Sequence, residues 1–269
     1  MRLIAVALVV LSGCHRALAP PLPSPVAPVA PAAPAVRPRR YTARVVARVP
    51  HATEAFTQGL AFHEGALYES TGLRGRSSVR VLDPSTGAVT RRREVSDEHF
   101  AEGLTVLGGR VFQVTYQTHT CFVYDAATLA PVATHTYPGE AWGLTHDGRS
   151  LIMSDGTDTL RFLDPATFAE RRSVRVTDRG APLDQLNELE FVEGEVFANV
   201  WHHDRIARIA PLTGRVVAWI DLPFSRESLG LEEPEAVLNG IAYEPSTRRL
   251  LVTGKLWPVM FEIALVPAE

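Results

Sequence analysis

A short apolar phrase with a small or polar residue at its centre recurs five times along this chain, and no other feature restricts the fold so tightly. Phe56-Thr-Gln-Gly-Leu-Ala-Phe62 is echoed by Phe100-Ala-Glu-Gly-Leu-Thr-Val106 and by Glu140-Ala-Trp-Gly-Leu-Thr-His146. Weaker copies follow at Leu186-Asn-Glu-Leu-Glu-Phe191 and Leu238-Asn-Gly-Ile-Ala-Tyr243. A second apolar run comes after each copy: Ala66–Thr71, Val111–Tyr116, Leu151–Gly156, Val196–Trp201 and Leu250–Lys255. A third run then appears at Val79–Leu82, Cys121–Tyr124, Thr159–Leu163, Arg205–Ile209 and Met260–Leu265. Runs this short, rich in Val, Leu, Phe, Tyr and Thr and broken by Asp-Pro, Thr-Gly and Gly-Gly, predict strands joined by turns.

Four of the units add a fourth strand, at Val89–Val95, Pro131–Tyr137, Arg172–Val176 and Val216–Leu222. The fifth unit runs out of chain, and Tyr41–Val49, ahead of the first copy, supplies its missing strand. The expected fold is all-β: a five-bladed β-propeller whose last blade is closed by the N-terminal strand. Spacings of 44, 40, 45 and 52 residues between equivalent positions suit one blade each.

Composition excludes several classes. With 46% hydrophobic and 21% charged residues the chain can build a sizeable core, and a net charge of −3 argues against a nucleic-acid partner. No apolar run reaches the roughly 18–20 residues of a membrane-spanning helix. The nine-residue apolar stretch Leu3–Leu11 follows Met1-Arg2 and suits a secretory signal. It ends in Leu11-Ser-Gly-Cys14, similar to a bacterial lipobox, so Cys14 is the expected lipidation site of residues 1–14. Residues 15–40 read as a Pro/Ala-rich linker, with eight prolines and six alanines between 19 and 40, and residues 41–269 as the propeller domain. The expected location is the cell envelope, facing the periplasm or exterior, with the membrane reached only through the lipid. His15 after the cysteine favours the outer membrane, and a closed propeller is expected to be a monomer.

Equivalent positions of a propeller's inner strands converge on its channel. The residue before the central one in each copy is Gln58, Glu102, Trp142, Asn187 or Asn239, all able to hydrogen-bond. Fourteen residues after Glu102 and Asn187 come Tyr116 and Trp201, with Lys255 at the matching end of the fifth unit. Aromatic walls around a few polar groups describe a pocket for a small molecule or a chain end. A plainer account stays open: inner polar residues can fill a wet channel, and Trp142 and Trp201 can pack between blades. Glu102, flanked by Ala101 and Gly103 on an apolar strand, is expected to have a raised pKa suited to proton transfer. Lys255 is the one lysine among 27 basic residues, which points to a need for a compact ammonium.

Other chemistries find less support. His202-His203-Asp204 reads as surface or rim, with no His-Glu-x-x-His spacing anywhere, and no Gly-x-Ser-x-Gly elbow accompanies Ser154-Asp155. Cys121 reads as a small buried apolar residue. Glu188 and Glu190, on either side of Leu189, read as surface or rim carboxylates.

Taken in order, Phe56-Thr-Gln-Gly-Leu60, Glu102-Gly-Leu-Thr105, Trp142-Gly-Leu-Thr145 and Leu186-Asn-Glu-Leu-Glu190 resemble the plant and bacterial glutamine cyclotransferase family. So do Ala198-Asn-Val-Trp201, Trp219-Ile-Asp-Leu222, Leu238-Asn-Gly-Ile-Ala-Tyr243 and Thr253-Gly-Lys-Leu-Trp-Pro258, so that residues 44–265 are covered. The resemblance implies a five-bladed propeller that converts N-terminal glutamine of peptides or proteins to pyroglutamate, releasing ammonia, unlike the zinc-dependent animal cyclases. It implies no required cofactor, with a structural metal ion in the central channel of some members. It places Phe56, Gln58, Phe100, Glu102, Trp142, Asn187, Trp201 and Lys255 in the active site, while Tyr116 stands where some members carry tryptophan. Glu102, Lys255, Asn187 and Gln58 are the expected catalytic set, and Phe56, Phe100, Tyr116, Trp142 and Trp201 the expected substrate walls. Two rivals are a catalytically silent envelope propeller that binds a peptide or protein, and a metal-dependent lactonase using Glu102, Asn187 and Asn239.

Overall fold

The computed structural model describes residues 37–268; Cys14 and most of the linker lie outside them. β1 (Arg39–Pro50) comes first. Unit one holds β2 (Thr57–His63), β3 (Ala66–Thr71), β4 (Ser78–Leu82) and β5 (Val89–Glu94). Unit two holds β6 (Ala101–Leu107), β7 (Arg110–Thr115), β8 (Thr120–Asp125) and β9 (Pro131–Thr136). Unit three holds β10 (Leu144–His146), β11 (Leu151–Met153), β12 (Thr159–Leu163) and β13 (Glu170–Arg175), followed by a small hairpin, β14 (Thr177–Asp178) and β15 (Ala181–Pro182), that the sequence pattern did not announce. Unit four holds β16 (Leu186–Val192), β17 (Glu195–Val200), β18 (Arg205–Ile209) and β19 (Val216–Asp221), and unit five holds β20 (Leu238–Glu244), β21 (Arg249–Gly254) and β22 (Val259–Pro267).

The protein is all-β. Units one to three are separate four-stranded sheets in chain order, and an eight-stranded sheet runs β16-β17-β18-β19-β1-β22-β21-β20. Within that sheet β1 lies antiparallel to β22, from Tyr41 opposite Pro267 to Pro50 opposite Val259. Its start also pairs in parallel with β19, Arg39 opposite Ala218 and Arg40 opposite Trp219. That second pairing draws the strand two residues further toward the N-terminus than the Tyr41 boundary read from the sequence, because β19 gives the backbone of Arg39 and Arg40 a partner.

Local chemistry explains the repeat. Asp83 Oδ1 accepts the N–H groups of Ser85 (2.8 Å) and Thr86 (3.0 Å), and Asp164 Oδ1 does the same for Ala166 (2.8 Å) and Thr167 (3.0 Å). These side-chain turns end the third strand of their units and reverse the chain. Inner strands are almost wholly buried, whereas β5 is exposed along its length and carries Arg91, Arg92 and Arg93. Charge on a free sheet edge discourages pairing with another chain.

The core is divided among the units. Four of its five apolar clusters each join two units that are consecutive in the chain, and the fifth joins unit five to unit one through Leu251, Met260, Leu60 and Leu67. The first strands form a matching cycle: β2 touches β6, β6 touches β10, β10 touches β16, β16 touches β20, and β20 returns to β2. Close approach requires glycine here. A Cβ on Gly103 would lie 2.5 Å from the Leu144 nitrogen, and one on Gly143 would lie 2.1 Å from the Asn187 oxygen.

Unit four departs from that rule, and with it an expectation from the sequence fails. Glu188 occupies the glycine position of its copy and is fully buried, and Glu190 is 8% exposed; neither lies on the surface or rim. The Glu188 side chain crosses the ring, accepting the N–H groups of Leu60 (3.2 Å) on β2 and Ile241 (2.9 Å) on β20. Glu190 accepts the Tyr243 N–H (2.8 Å) and the Thr145 hydroxyl (3.2 Å). β2 and β20 are the edge strands of their sheets, so N–H groups on their inner side have no ladder partner, and these carboxyls satisfy them.

Candidate active site

A bulge falls at the same place in four of the first strands: Thr57/Gly59, Ala101/Leu104, Leu186/Leu189 and Leu238/Ile241. A bulge re-aims the side chain beside it. Here it affects Gln58, Glu102, Asn187 and Asn239 at once, and Trp142 sits just ahead of β10 at the equivalent point. The result is a cavity of about 770 Å³ whose wall includes the nine residues expected as catalytic set and substrate walls: Phe56, Gln58, Phe100, Glu102, Tyr116, Trp142, Asn187, Trp201 and Lys255.

Two aromatic walls enclose it. Phe56 meets Phe100 edge-on with centroids 6.0 Å apart, and Phe100 meets Tyr116 at 6.1 Å. Opposite, Trp142 and Trp201 meet edge-on at 5.7 Å. The Trp142 indole N–H donates to Glu140 (3.2 Å), which also accepts from Gln117 (3.1 Å), so the ring is fixed at its polar end. Gly156 is small because Trp142 lies over it; a Cβ there would come within 2.6 Å of the indole.

The polar groups lie between these walls. Asn239 Nδ2 donates to the Gln58 side-chain oxygen (3.0 Å) and to the Thr57 carbonyl (2.9 Å), which orients the Gln58 amide. Asn239 itself is fully buried behind Gln58 and forms no part of the cavity wall. The Ser154 hydroxyl donates to the Asn187 carbonyl (2.7 Å) and accepts the Gly143 N–H (2.8 Å), which places Ser154 in the scaffold and not in a triad. Lys255 is 5% exposed and holds its ammonium 4.9 Å from the Phe56 ring centroid.

Electrostatics follows from burial. Burial pushes the Glu102 carboxyl well above the usual carboxylate range, with the Lys255 charge pulling it down and Glu140 pushing it up. Burial lowers Lys255, with Glu102 and Glu235 working against the shift. Each group lacks full solvation in its charged form, and each is the other's counter-charge. Among the described residues the Glu102 carboxyl makes no hydrogen bond with the protein, so both oxygens are available to a bound molecule.

Leu73, Arg74, Arg76, Gln117, Glu233, Glu235 and Leu256 complete the wall, and none of them is a candidate site residue of the sequence. They belong to loops outside the repeated phrases, where the register gives no signal that could locate them. His202, His203 and Asp204 are exposed, and Cys121 is buried with its thiol pushed up by burial, both as expected. Among the described residues no three His, Cys, Asp or Glu gather to hold a metal ion, and Glu188 is engaged by backbone N–H groups.

A family model described as glutamine cyclotransferase matches residues 22–265. A glutaminyl-peptide cyclotransferase of Arabidopsis thaliana is 45% identical over 231 residues, covering 84% of this chain and 72% of the relative. The crystal structure of Myxococcus xanthus glutaminyl cyclase superposes with a TM-score of 0.83 at 39% identity, covering 87% of this chain and 100% of that one. By model match, relative and superposition together, the chain belongs to the glutamine cyclotransferase family.

Proposed function

We propose that this chain is a five-bladed propeller enzyme that cyclises N-terminal glutamine of peptides and proteins to pyroglutamate, releasing ammonia. Family membership supports the reaction, and the closed cycle of first strands supports the blade count, with β1 completing the fifth blade. The observation that carries the reading is the facing pair Glu102 and Lys255 between two aromatic walls.

The reaction is an acyl transfer within one residue. The neutral α-amine attacks its own side-chain amide carbon, the tetrahedral intermediate collapses, and the amide nitrogen leaves as ammonia. One proton must move from the attacking nitrogen to the departing one. Glu102 takes and then delivers it, and a carboxyl whose pKa lies above the usual range is suited to both halves of that transfer. Lys255, Gln58 and Asn187 hold the amide oxygen and the substrate backbone and stabilise the developing negative charge. Phe56, Phe100, Tyr116, Trp142 and Trp201 enforce the folded-back conformer, an orientation effect worth up to about 7–11 kcal/mol in well-aligned systems. No step runs through a metal ion, and we propose that zinc is not required.

The reading extends to a monomer in the cell envelope, anchored through lipid on Cys14, and rests there on the N-terminal sequence. The test of function is incubation of the purified protein with a glutamine-initiated peptide, following ammonia and peptide mass, with and without a chelator. Cyclisation that survives the chelator supports the whole reading. Cyclisation lost with the chelator overturns zinc independence, and a folded protein that releases nothing overturns the activity.

A further inference from the structure

The turn that carries Lys255 holds a backbone conformation its sequence does not favour. Leu256 has φ of +61°, in the left-handed region that a leucine rarely enters. Such residues persist where their surroundings over-determine them. Here the Lys255 N–H donates to the Val237 carbonyl (2.9 Å), the Leu256 N–H to Ala55 (2.7 Å), the Trp257 N–H to Gly254 (3.2 Å), and the His51 N–H to Pro258 (3.0 Å).

One more bond comes from a side chain. His51 Nδ1 lies 2.8 Å from the Trp257 carbonyl, and Nε2 lies 2.8 Å from Glu69 Oε1. A carbonyl and a carboxylate only accept, so both ring nitrogens must carry hydrogen; the ring that makes both bonds is the imidazolium. Glu69 is suited to hold it: both side chains are fully buried, and Thr57 donates its hydroxyl to the same Oε1 (2.7 Å).

We propose that the buried His51–Glu69 pair is a positioning device for the reaction, holding the Lys255 turn against β2 so that the ammonium faces Glu102. The inference rests on the cyclase reading of the cavity. Neither residue touches the cavity; both act through Lys255.

The pair has a defined pH response. Burial pulls the imidazole down, but the Glu69 charge and hydrogen bond, with the Trp257 carbonyl, outweigh it, so His51 lies above its ordinary value. A raised value means that the hold is complete at low pH and is lost as pH rises through it. The other charge facing the ring is Arg80 on β4, 3.8 Å from Glu69 Oε2 and from Glu54; β2 and β21 present the neutral Thr57 and Thr253.

Two measurements test it. Nitrogen NMR of the histidine-labelled wild-type protein at pH 7.5 should show His51 protonated on both ring nitrogens. In Glu69→Gln the amide oxygen still accepts from Nε2, but the charge that retains the second proton is gone. The alkaline limb of kcat should move about one pH unit or more to lower pH, with KM unchanged and wild-type turnover regained on acidification. A purely structural loss would lower kcat at every pH. A neutral His51 in the wild type, an unmoved limb, or a loss uniform in pH would each overturn the inference. If Glu69→Gln does not fold, the wild-type spectrum decides. A wild type that releases no ammonia fails the cyclase reading itself, whereas an active wild type with an unmoved limb fails only the positioning role.

Discussion

Glu102 and Glu188 sit one position apart in equivalent copies of the repeat, one on the cavity floor and one in the core of the ring. Burial pushes both well above the usual carboxylate range. Their surroundings separate them. Glu188 has an oxygen on each of two backbone N–H groups, Leu60 and Ile241, from two different strands. Glu102 has no such partner among the described residues, and shares the cavity wall with Lys255, whose charge acts on it. A raised pKa therefore marks burial in both regions, and only oxygens left free toward a cavity mark a group able to carry a proton for a substrate.

The largest expected effect separates the two directly. Glu102→Gln keeps shape and burial and removes the proton carrier, so turnover should fall by about 10²–10⁴-fold with the melting temperature preserved. Ammonia release beside a thermal melt checks it, and substantial turnover in a folded variant would erase the distinction. Glu188→Ala should do the opposite. It orphans two buried N–H groups at about 1–3 kcal/mol each, so urea unfolding should report a loss of about 2–6 kcal/mol. A loss below about 1 kcal/mol would show that the ring does not depend on the crossing carboxyl.

The smallest effect concerns Glu190, raised by burial to about 8 against backbone and hydroxyl hydrogen bonds that lower it. Between the ordinary carboxylate value and about 8 the folded state retains a proton that the unfolded state has released, so this group makes stability fall as pH rises across that window. Glu190→Gln should flatten the decline. Melting curves at pH 5 and pH 8 measure it, and equal declines in both proteins would show that Glu190 does not titrate there.

Much of this was legible beforehand for a simple reason. A repeat writes the same local instruction several times, so a weak strand signal gains weight from its copies, and the residue before each central position is marked by register alone. Register alone places Gln58, Glu102, Trp142 and Asn187 together, with Lys255 at the matching end of the fifth unit. Glu188 and Glu190 misled because charged residues usually lie outside, and nothing in Leu186-Asn-Glu-Leu-Glu190 reveals that N–H groups on the free edges of two other strands face them. The loop residues Arg74, Arg76, Glu233 and Glu235 carry no periodic signal at all.

The sequence by itself determined the strand pattern, the five copies and nine of the side chains that share the cavity, because those follow from spacing along one chain. Tertiary structure alone decided which buried carboxyl is engaged and which is free, and that His51, Glu69 and the Lys255 turn meet. Those outcomes depend on hydrogen-bond partners supplied by strands far apart in sequence, which only the closed cycle brings within reach.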